Sequence, residues 1–474
     1  MEGRRQSNHY ERFRLKNSEQ RFILILGDIL AGVIALFLAL FIWAEFDLLD
    51  FTAAFFRDRV DTWFYFLPLM WVVLLIDTYD LGKAGKFKST LKGVIIALVV
   101  AVAAYLIVYF LVPPMSLPRV GVATFIIFTS ILTLVWRLIF IRMFKAASQQ
   151  RRVLIIGAGN AGTELIKVIE KTDPKPFNLI GLIDDDPLKL NTNILGVPVL
   201  GDHRMMEPIT EQMGVSDFIL AITHEMNPGM LHTILDAQEA GIELTTMQDA
   251  YEAITGRVPI DLLQPDWVVR AFLDRKPNSG FYRLFKRLMD LFLAMIGLVG
   301  LVIVFPFIAL GLLIEGNESI VFKQERLGRG GVPYTIYKFP TMRRHSGGGD
   351  SGLVTAEKDP RVTKFGRLLR KTHLDELPQI INVLKGEMSF VGPRPERSEL
   401  VQVFQSGVPF YRTRMLVKPG ITGWAQIHQG YAETVEETSI KLEYDLYYIS
   451  HASIWMDITI LLRTFGSVLG LKGR

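Results

Sequence analysis

The sequence predicts a three-part membrane protein: an N-terminal bundle of four spanning α-helices, a parallel α/β domain, and a C-terminal domain that meets the bilayer through a fifth apolar helix. Three observations predict it. Four long apolar stretches fill the first 145 residues. A strand-like run then leads through a glycine-rich turn into a helical stretch. A further apolar run, Leu291–Ile314, precedes a strongly basic C-terminal region. Composition agrees: of 474 residues, 50% are hydrophobic and 21% charged, and mean hydropathy is +0.29, whereas a soluble chain carries about 25% charged residues. The absence of cysteine excludes disulfide scaffolds, thiolate zinc sites and cysteine nucleophiles. The net charge of +4 is small but clustered. That suits an anionic ligand or lipid headgroups rather than nucleic acid.

The four N-terminal stretches are Phe22–Trp43, Trp63–Ile76, Gly93–Val112 and Gly121–Ile141. A spanning helix needs about 20 mostly apolar residues, so the second is the weakest; it carries Pro68 and borrows flanking residues such as Tyr79. The first is too long for a secretory signal and lacks a small-residue cleavage site. Loop charge alternates. Arg12, Arg14 and Lys16 precede the first span, acids such as Asp58 and Asp61 follow it, Lys83 to Lys92 mark the next loop, and Arg142 to Arg152 follow the fourth. This places the N-terminus and everything after residue 145 in the cytoplasm. Asp28, near the cytoplasmic end of its span, reads as a helix-pairing or snorkelling acid, with a functional role as the alternative.

Residues 149–258 form the α/β domain. Arg152-Val-Leu-Ile-Ile reads as a buried parallel strand running into Gly157-Ala-Gly159-Asn-Ala-Gly162 and a helix over Thr163–Lys171. Glycines there permit a tight turn and close backbone approach, and the helix N-terminus attracts phosphate. Asp184 ends the second strand, where a ribose-binding acid is expected. No catalytic set accompanies the fingerprint. It marks either a nucleotide or nucleotide-sugar site or an assembly domain.

Residues 259–282, with Pro259, Pro265, Pro277 and Gly280, read as a linker. Leu291–Ile314 is uncharged for 24 residues and is basic on both flanks (Arg283, Lys286, Arg287; Lys323, Arg326, Arg329). A single crossing puts one basic flank on the wrong side. A helix broken at Pro306 that enters and leaves one leaflet, over about 284–314, satisfies both; a spanning helix is the alternative.

In the C-terminal domain, 283–474, Lys323 to Arg344 hold six Lys/Arg and one acid, and Arg361–Lys371 hold five basic residues and no acid. Val332–Phe339 alternates like a strand, with Lys338 near its end. Ser346–Gly352 reads as a mobile loop. Asp375-Glu376 stands just ahead of a helix that Pro378 starts, and Gly392-Pro-Arg-Pro395 fixes Arg394 on a rigid turn. Two acids in so basic a neighbourhood suit phosphates with Mg²⁺, because a hard cation shares carboxylate and phosphate oxygens. Spacing alone also allows a capping pair bound to Arg370. The stretch Tyr444–Leu471 fits an interfacial segment or ordinary core packing.

Arg370-Lys-Thr-His-Leu-Asp-Glu-Leu-Pro-Gln379, Val391-Gly-Pro-Arg-Pro395 and Val417-Lys-Pro-Gly-Ile-Thr-Gly-Trp-Ala-Gln426, with Tyr337-Lys-Phe-Pro-Thr-Met342, resemble the bacterial sugar transferases, the monotopic phosphoglycosyl transferases. The resemblance covers roughly residues 280–474. The full layout resembles the large undecaprenyl-phosphate glucose or galactose phosphotransferases. It implies four transmembrane helices, a Rossmann-like domain and an α+β monotopic catalytic domain with a re-entrant helix. It implies transfer of a hexose-1-phosphate from a UDP-hexose to undecaprenyl phosphate, with UMP released. Asp375 would be the nucleophile, Mg²⁺ would lie on Glu376 or the pair, and Lys338, Arg370 and Arg394 would hold phosphates. It implies a multi-pass protein of the bacterial inner membrane, a homodimer, with the catalytic domain facing the cytoplasm. The family usually has arginine where Pro340 stands and often serine where Phe305 stands. One rival is a membrane-bound nucleotide-sugar dehydratase or epimerase, for which Tyr334 and Lys338 have the Tyr-x-x-x-Lys spacing. The other is a non-catalytic scaffold of polysaccharide assembly.

Overall fold

A computed structural model describes residues 17–46, 51–79, 81–111, 118–148, 151–173, 175–223, 226–262, 280–317, 319–343, 361–429 and 434–469. The loop Ser346–Gly352 and most of the linker lie outside the described residues. The chain forms two compact units, Met1–Arg151 with Pro174–Phe177, and Arg152–Asp173 with Asn178–Arg474.

In the first unit, helices Asn17–Phe46 and Arg119–Ser148 pack side by side, joined by Phe87–Leu111. All three are long and apolar enough to cross a membrane. The second apolar stretch is shorter. A 3₁₀ turn, Thr62–Phe66, runs into an α-helix, Leu67–Leu74, with Pro68 in its first turn; a second 3₁₀ turn, Ile76–Tyr79, extends it to Tyr79. Asp28 pairs helices: its carboxylate meets Arg137 at 2.7 Å, and both side chains are almost fully buried. Arg137 also donates to the Thr78 carbonyl at 3.0 Å. Buried charge is costly unless paired, so the pair ties Asn17–Phe46, Arg119–Ser148 and the short segment into one arrangement. Phe37 and Phe110 stay 58% and 81% exposed, as lipid-facing side chains do.

The α/β domain opens the second unit. β1 (Arg152–Ile156), β2 (Asn178–Ile183), β3 (Asn193–Ile194), β4 (Val197–Gly201), β5 (Asp217–Leu220) and β6 (Glu243–Thr246) form one sheet in the order β3-β4-β2-β1-β5-β6. Only β3 runs antiparallel. Val153 to Ile156 are fully buried, as a central parallel strand requires. Gly157 turns the chain at φ +112°, and a Cβ on Gly162 would lie 2.2 Å from the Gly157 carbonyl, so both positions demand glycine.

The C-terminal domain is built around the helix Gly280–Ile314. Pro306 lies inside this helix and does not end it; the turn loses one donor while the hydrogen bonds on either side carry on. One face of the helix contacts the domain along its length. Arg287 donates to the carbonyls of Val383 and Leu384. Asp290 accepts from Ser389 Oγ and the Phe390 N–H, each at 3.0 Å. Leu301, Ile308 and Leu312 pack on Phe339 and Leu369, and Glu315 caps the Phe365 N–H at 2.8 Å. The other face exposes Phe292, Val299, Ile303 and Phe307. A hairpin, β7 (Phe322–Leu327) and β8 (Pro333–Lys338), and a parallel pair, β9 (Ser389–Val391) and β10 (Gly420–Thr422), complete the scaffold. Helix Val435–His451 is core: Leu442, Leu446, Tyr448 and Ile449 are buried, and Ile460 of the last helix joins them. The residues after Thr255 also enter this core. Val258 and Ile260 pack among Val401, Val408, Tyr411, Leu442 and Leu446, and Trp424 donates to the Gly256 carbonyl at 2.9 Å.

Candidate functional site

Asp375 and Glu376 lie in the first turn of a 3₁₀ helix, Leu374–Gln379, that runs into the helix Ile380–Lys385. His373 precedes it at φ +55°, a left-handed conformation unusual outside glycine. Such strain is characteristic of functional sites. The turn is pinned to the end of β8, where the Phe339 N–H donates to the Asp375 carbonyl at 2.9 Å. Asn382, fully buried, fixes β8 in turn: it donates to the Thr335 carbonyl and to Glu387, and accepts from the Tyr337 N–H.

Five of the expected residues converge here. Lys338 Nζ reaches Glu376 Oε1 at 2.7 Å, and Arg394 Nη2 reaches the same oxygen at 2.8 Å. Arg370 does not pair with the acids. Its Nε donates to Thr341 Oγ1 at 2.9 Å, and its charge acts on Asp375 through space. The Asp375 side chain has no hydrogen-bond or ion-pair partner among the described residues. Burial pushes its carboxyl up to about 6, and the Glu376 charge adds to the rise against the pull of Lys338, Arg394 and Arg370. Burial also opposes ionisation of Glu376, but Arg394 and Lys338 outweigh it and hold that carboxyl far below its usual range. One acid is thus saturated with cations, and its neighbour is kept basic and unpartnered.

Two adjacent carboxylates with no third ligand nearby are a sparse cage for a metal; no group of three potential ligands occurs among the described residues. They do fit Mg²⁺ shared with a phosphate, which needs only one or two carboxylates. Lys338 and Arg394 both bind Oε1 of Glu376, and the carboxylates of Asp375 and Glu376 are the groups that would hold such an ion.

Gly157, Gly159, Gly162 and Asp184 form a separate cluster at the carboxyl ends of β1 and β2. Asp184 Oδ2 accepts from the Ala158 N–H at 2.7 Å and from Lys189 at 3.0 Å, and Oδ1 accepts from the Asp186 N–H at 2.9 Å. The glycine turn thus already binds a carboxylate of its own chain. Tyr334 and Lys338 lie on a strand and not on one turn of a helix, which removes the geometry a dehydratase needs. The sequence reading missed Thr341, Asn382, Glu396 and Arg414. No local pattern distinguishes them from surface polar residues.

Comparison with known proteins sets the C-terminal domain apart from what precedes it. Residues 281–470 match the model of the bacterial sugar transferase family, and residues 74–237 match that of a CoA-binding domain. A UDP-N-acetylgalactosamine-undecaprenyl-phosphate N-acetylgalactosaminephosphotransferase of Aeromonas hydrophila is 38% identical over 48% of this chain and 53% of its own length. A UDP-glucose:undecaprenyl-phosphate glucose-1-phosphate transferase of Xanthomonas campestris pv. campestris is 32% identical over 68% of this chain and 67% of its own length. A protein of that same name from Escherichia coli (strain K12) is 42% identical over 40% and 41%. The matches thus span about half the length of these curated relatives. With the Asp375-Glu376 turn, its lysine strand and its arginine turn assembled as one site, the chain belongs to the bacterial sugar transferase family.

Proposed function

We propose that this chain transfers a hexose-1-phosphate from a UDP-hexose to undecaprenyl phosphate, releasing UMP. The observation that carries the proposal is the contrast within the acid pair: Glu376 holds two cations while Asp375, half-buried beside it, has no partner among the described residues. Raised by burial to about 6, the Asp375 carboxyl still attacks as a carboxylate at pH 7 and needs no partnering base. Its oxygen attacks the sugar-bearing phosphorus; the bond to the bridging oxygen breaks, and UMP leaves with the electron pair. An oxygen of undecaprenyl phosphate then attacks the same phosphorus and returns Asp375 as a carboxylate. UMP is a stabilised anion, so no strong general acid is required. Lys338 and Arg394, oriented by Glu376, and Arg370, oriented by Thr341, neutralise and align the phosphates. Asp375 and Glu376 would hold Mg²⁺, which would supply further charge neutralisation. The names of the relatives support these substrates.

One feature supports a re-entrant anchor. Contacts near both ends of the helix Gly280–Ile314, at Arg287 and at Glu315, are made to one domain. Loop charge supports an inner-membrane protein with this domain in the cytoplasm. The Rossmann-like reading of the α/β domain rests on the parallel order β4-β2-β1-β5-β6 and the glycine turn. The homodimer follows from the family resemblance, and the mass of the purified protein in detergent tests it.

The decisive test incubates the enzyme with a panel of UDP-sugars. UMP release that requires undecaprenyl phosphate for turnover, with a phosphosugar adduct on Asp375 when donor is given alone, is expected. A keto-sugar still attached to UDP would replace this reading with the dehydratase. Chelation of Mg²⁺ is expected to stop turnover; full activity in excess chelator would remove the metal.

A further inference from the structure

The arginine turn is held in an unusual way. From Gly392 to Glu396 every residue has a backbone group tied to another segment. The Gly392 N–H donates to the Thr422 carbonyl, and the Pro393 carbonyl accepts from the Gly420 N–H, both at 2.9 Å. The next three carbonyls each take a different donor: Arg394 from Arg414 Nη2 at 3.0 Å, Pro395 from Arg326 Nη1 at 3.3 Å, and Glu396 from the Leu327 N–H at 3.2 Å. Two of these donors are side chains, and both lead back to one carboxylate. Glu396 lies 3.7 Å from Arg414, 3.8 Å from Arg326 and 2.7 Å from Lys441.

Arg414 is buried at 6% exposure, which is costly for a cation unless every donor is used. Asp445 meets its Nη2 at 2.8 Å, and the Tyr411 hydroxyl accepts from Nη1 at 2.7 Å. Burial opposes the charge on Glu396, but Lys441 and Arg414 bring its carboxyl down to about 2; at Asp445 burial raises the carboxyl against the pull of Arg414. If stability were the whole purpose, an apolar cluster would serve as well in this core. What the ionic cluster adds is direction. A planar guanidinium held by the Tyr411 hydroxyl on Nη1 and by the charges of Glu396 and Asp445 delivers an Nη2 N–H to one point, the carbonyl of the residue that reaches Glu376.

We propose that Arg414, fixed by Glu396 and Asp445, is the positioning residue that sets the reach of Arg394 to Glu376 and the substrate phosphate. It touches neither substrate nor the reacting atoms. The proposal rests on the reading of Arg394 as a phosphate contact given above.

A double-mutant cycle on the full-length protein in membranes, read as UMP release, tests it. Arg394→Ala is expected to lower kcat about 100-fold. Arg414→Lys keeps the charge against Glu396 and Asp445 but loses the aimed second donor. It is expected to lower kcat about tenfold with KM within about twofold. Combined, the two are expected to be no worse than Arg394→Ala alone, because Arg414 acts only through Arg394. Turnover of Arg414→Lys equal to the parent, or a double variant showing the product of the two losses, overturns the positioning role and leaves the site reading intact. Full activity of Arg394→Ala overturns the phosphate reading and this proposal with it. Should Arg414→Lys fail to accumulate, Glu396→Gln takes its place in the same cycle with the same expectation.

Discussion

Two aspartates of the second unit, Asp184 and Asp375, each follow or precede an element where phosphate chemistry is expected, and their surroundings are opposite. Asp184 is fully used by its own chain: two backbone N–H groups and Lys189 bind it, and although burial opposes ionisation, those partners bring its carboxyl below the ordinary value. Asp375 is half-buried without a partner among the described residues and raised to about 6, while Lys338 and Arg394 are spent on Glu376. An acid whose hydrogen bonds are all made serves the fold. An acid that the fold half-covers, surrounds with charge and leaves without a bond is available to a substrate. The contrast also separates two sequence signals of similar appearance, since the glycine fingerprint of the α/β domain is already filled from within.

The contrast is broken most directly by Asp375→Asn. The loss of UMP release is expected to be on the order of 10⁴-fold or more, with the protein still inserted and folded; near-normal turnover would end the nucleophile assignment. A third acid sharpens it. Asp28 has a full partner in Arg137, so Asp28→Asn leaves a buried cation alone. It is expected to cost about 3–5 kcal/mol, read as a lower melting temperature in detergent, while Arg137 with Asp28 both replaced by apolar residues recovers much of it. Glu443 resembles Asp375 in being raised. Burial lifts it to about 7 against the pull of Arg257, 3.3 Å away. Its unfolded value is 4.5, so the folded state holds the proton more tightly. Its stabilising contribution is complete below about pH 4.5 and gone above about pH 7. Stability of the second unit should therefore fall by about 3 kcal/mol across that window, and Glu443→Gln should flatten this part of the pH profile. The smallest effect is expected at Asp184→Asn, a loss of about 1 kcal/mol measured by chemical denaturation. A larger loss would give this acid more than its local role.

What the sequence made legible follows the length of the pattern. The strand Arg152–Ile156 and the helix after it were readable because a central parallel strand is a continuous apolar run. The 3₁₀ turn carrying Asp375 and Glu376 was readable because Pro378 marks its helical continuation. Asp28 and Arg137 are each a lone charge in an apolar span, and the pairing that such charges require is what forms. Illegible were the partners that depend on three-dimensional closure. Arg414 looks like Arg412 two residues earlier, yet one is buried in an acid cluster and the other is not. Glu376 was open to Arg370 on spacing, whereas folding gives it Lys338 from a strand 38 residues earlier and Arg394 from a turn 18 residues later. Pro306 is a break by local rule, but the helix continues through it because packing on Phe339 and Leu369 holds the turns on both sides.

The seating of Val258 and Ile260 among Val401, Val408, Tyr411, Leu442 and Leu446 has a practical outcome for anyone dissecting the molecule. A fragment begun at residue 280, where the anchor starts, would leave two vacated seats under Tyr411, the residue that steadies Arg414. A cut made ahead of Gly256 keeps the plug in place, and with it the footing of the transferase.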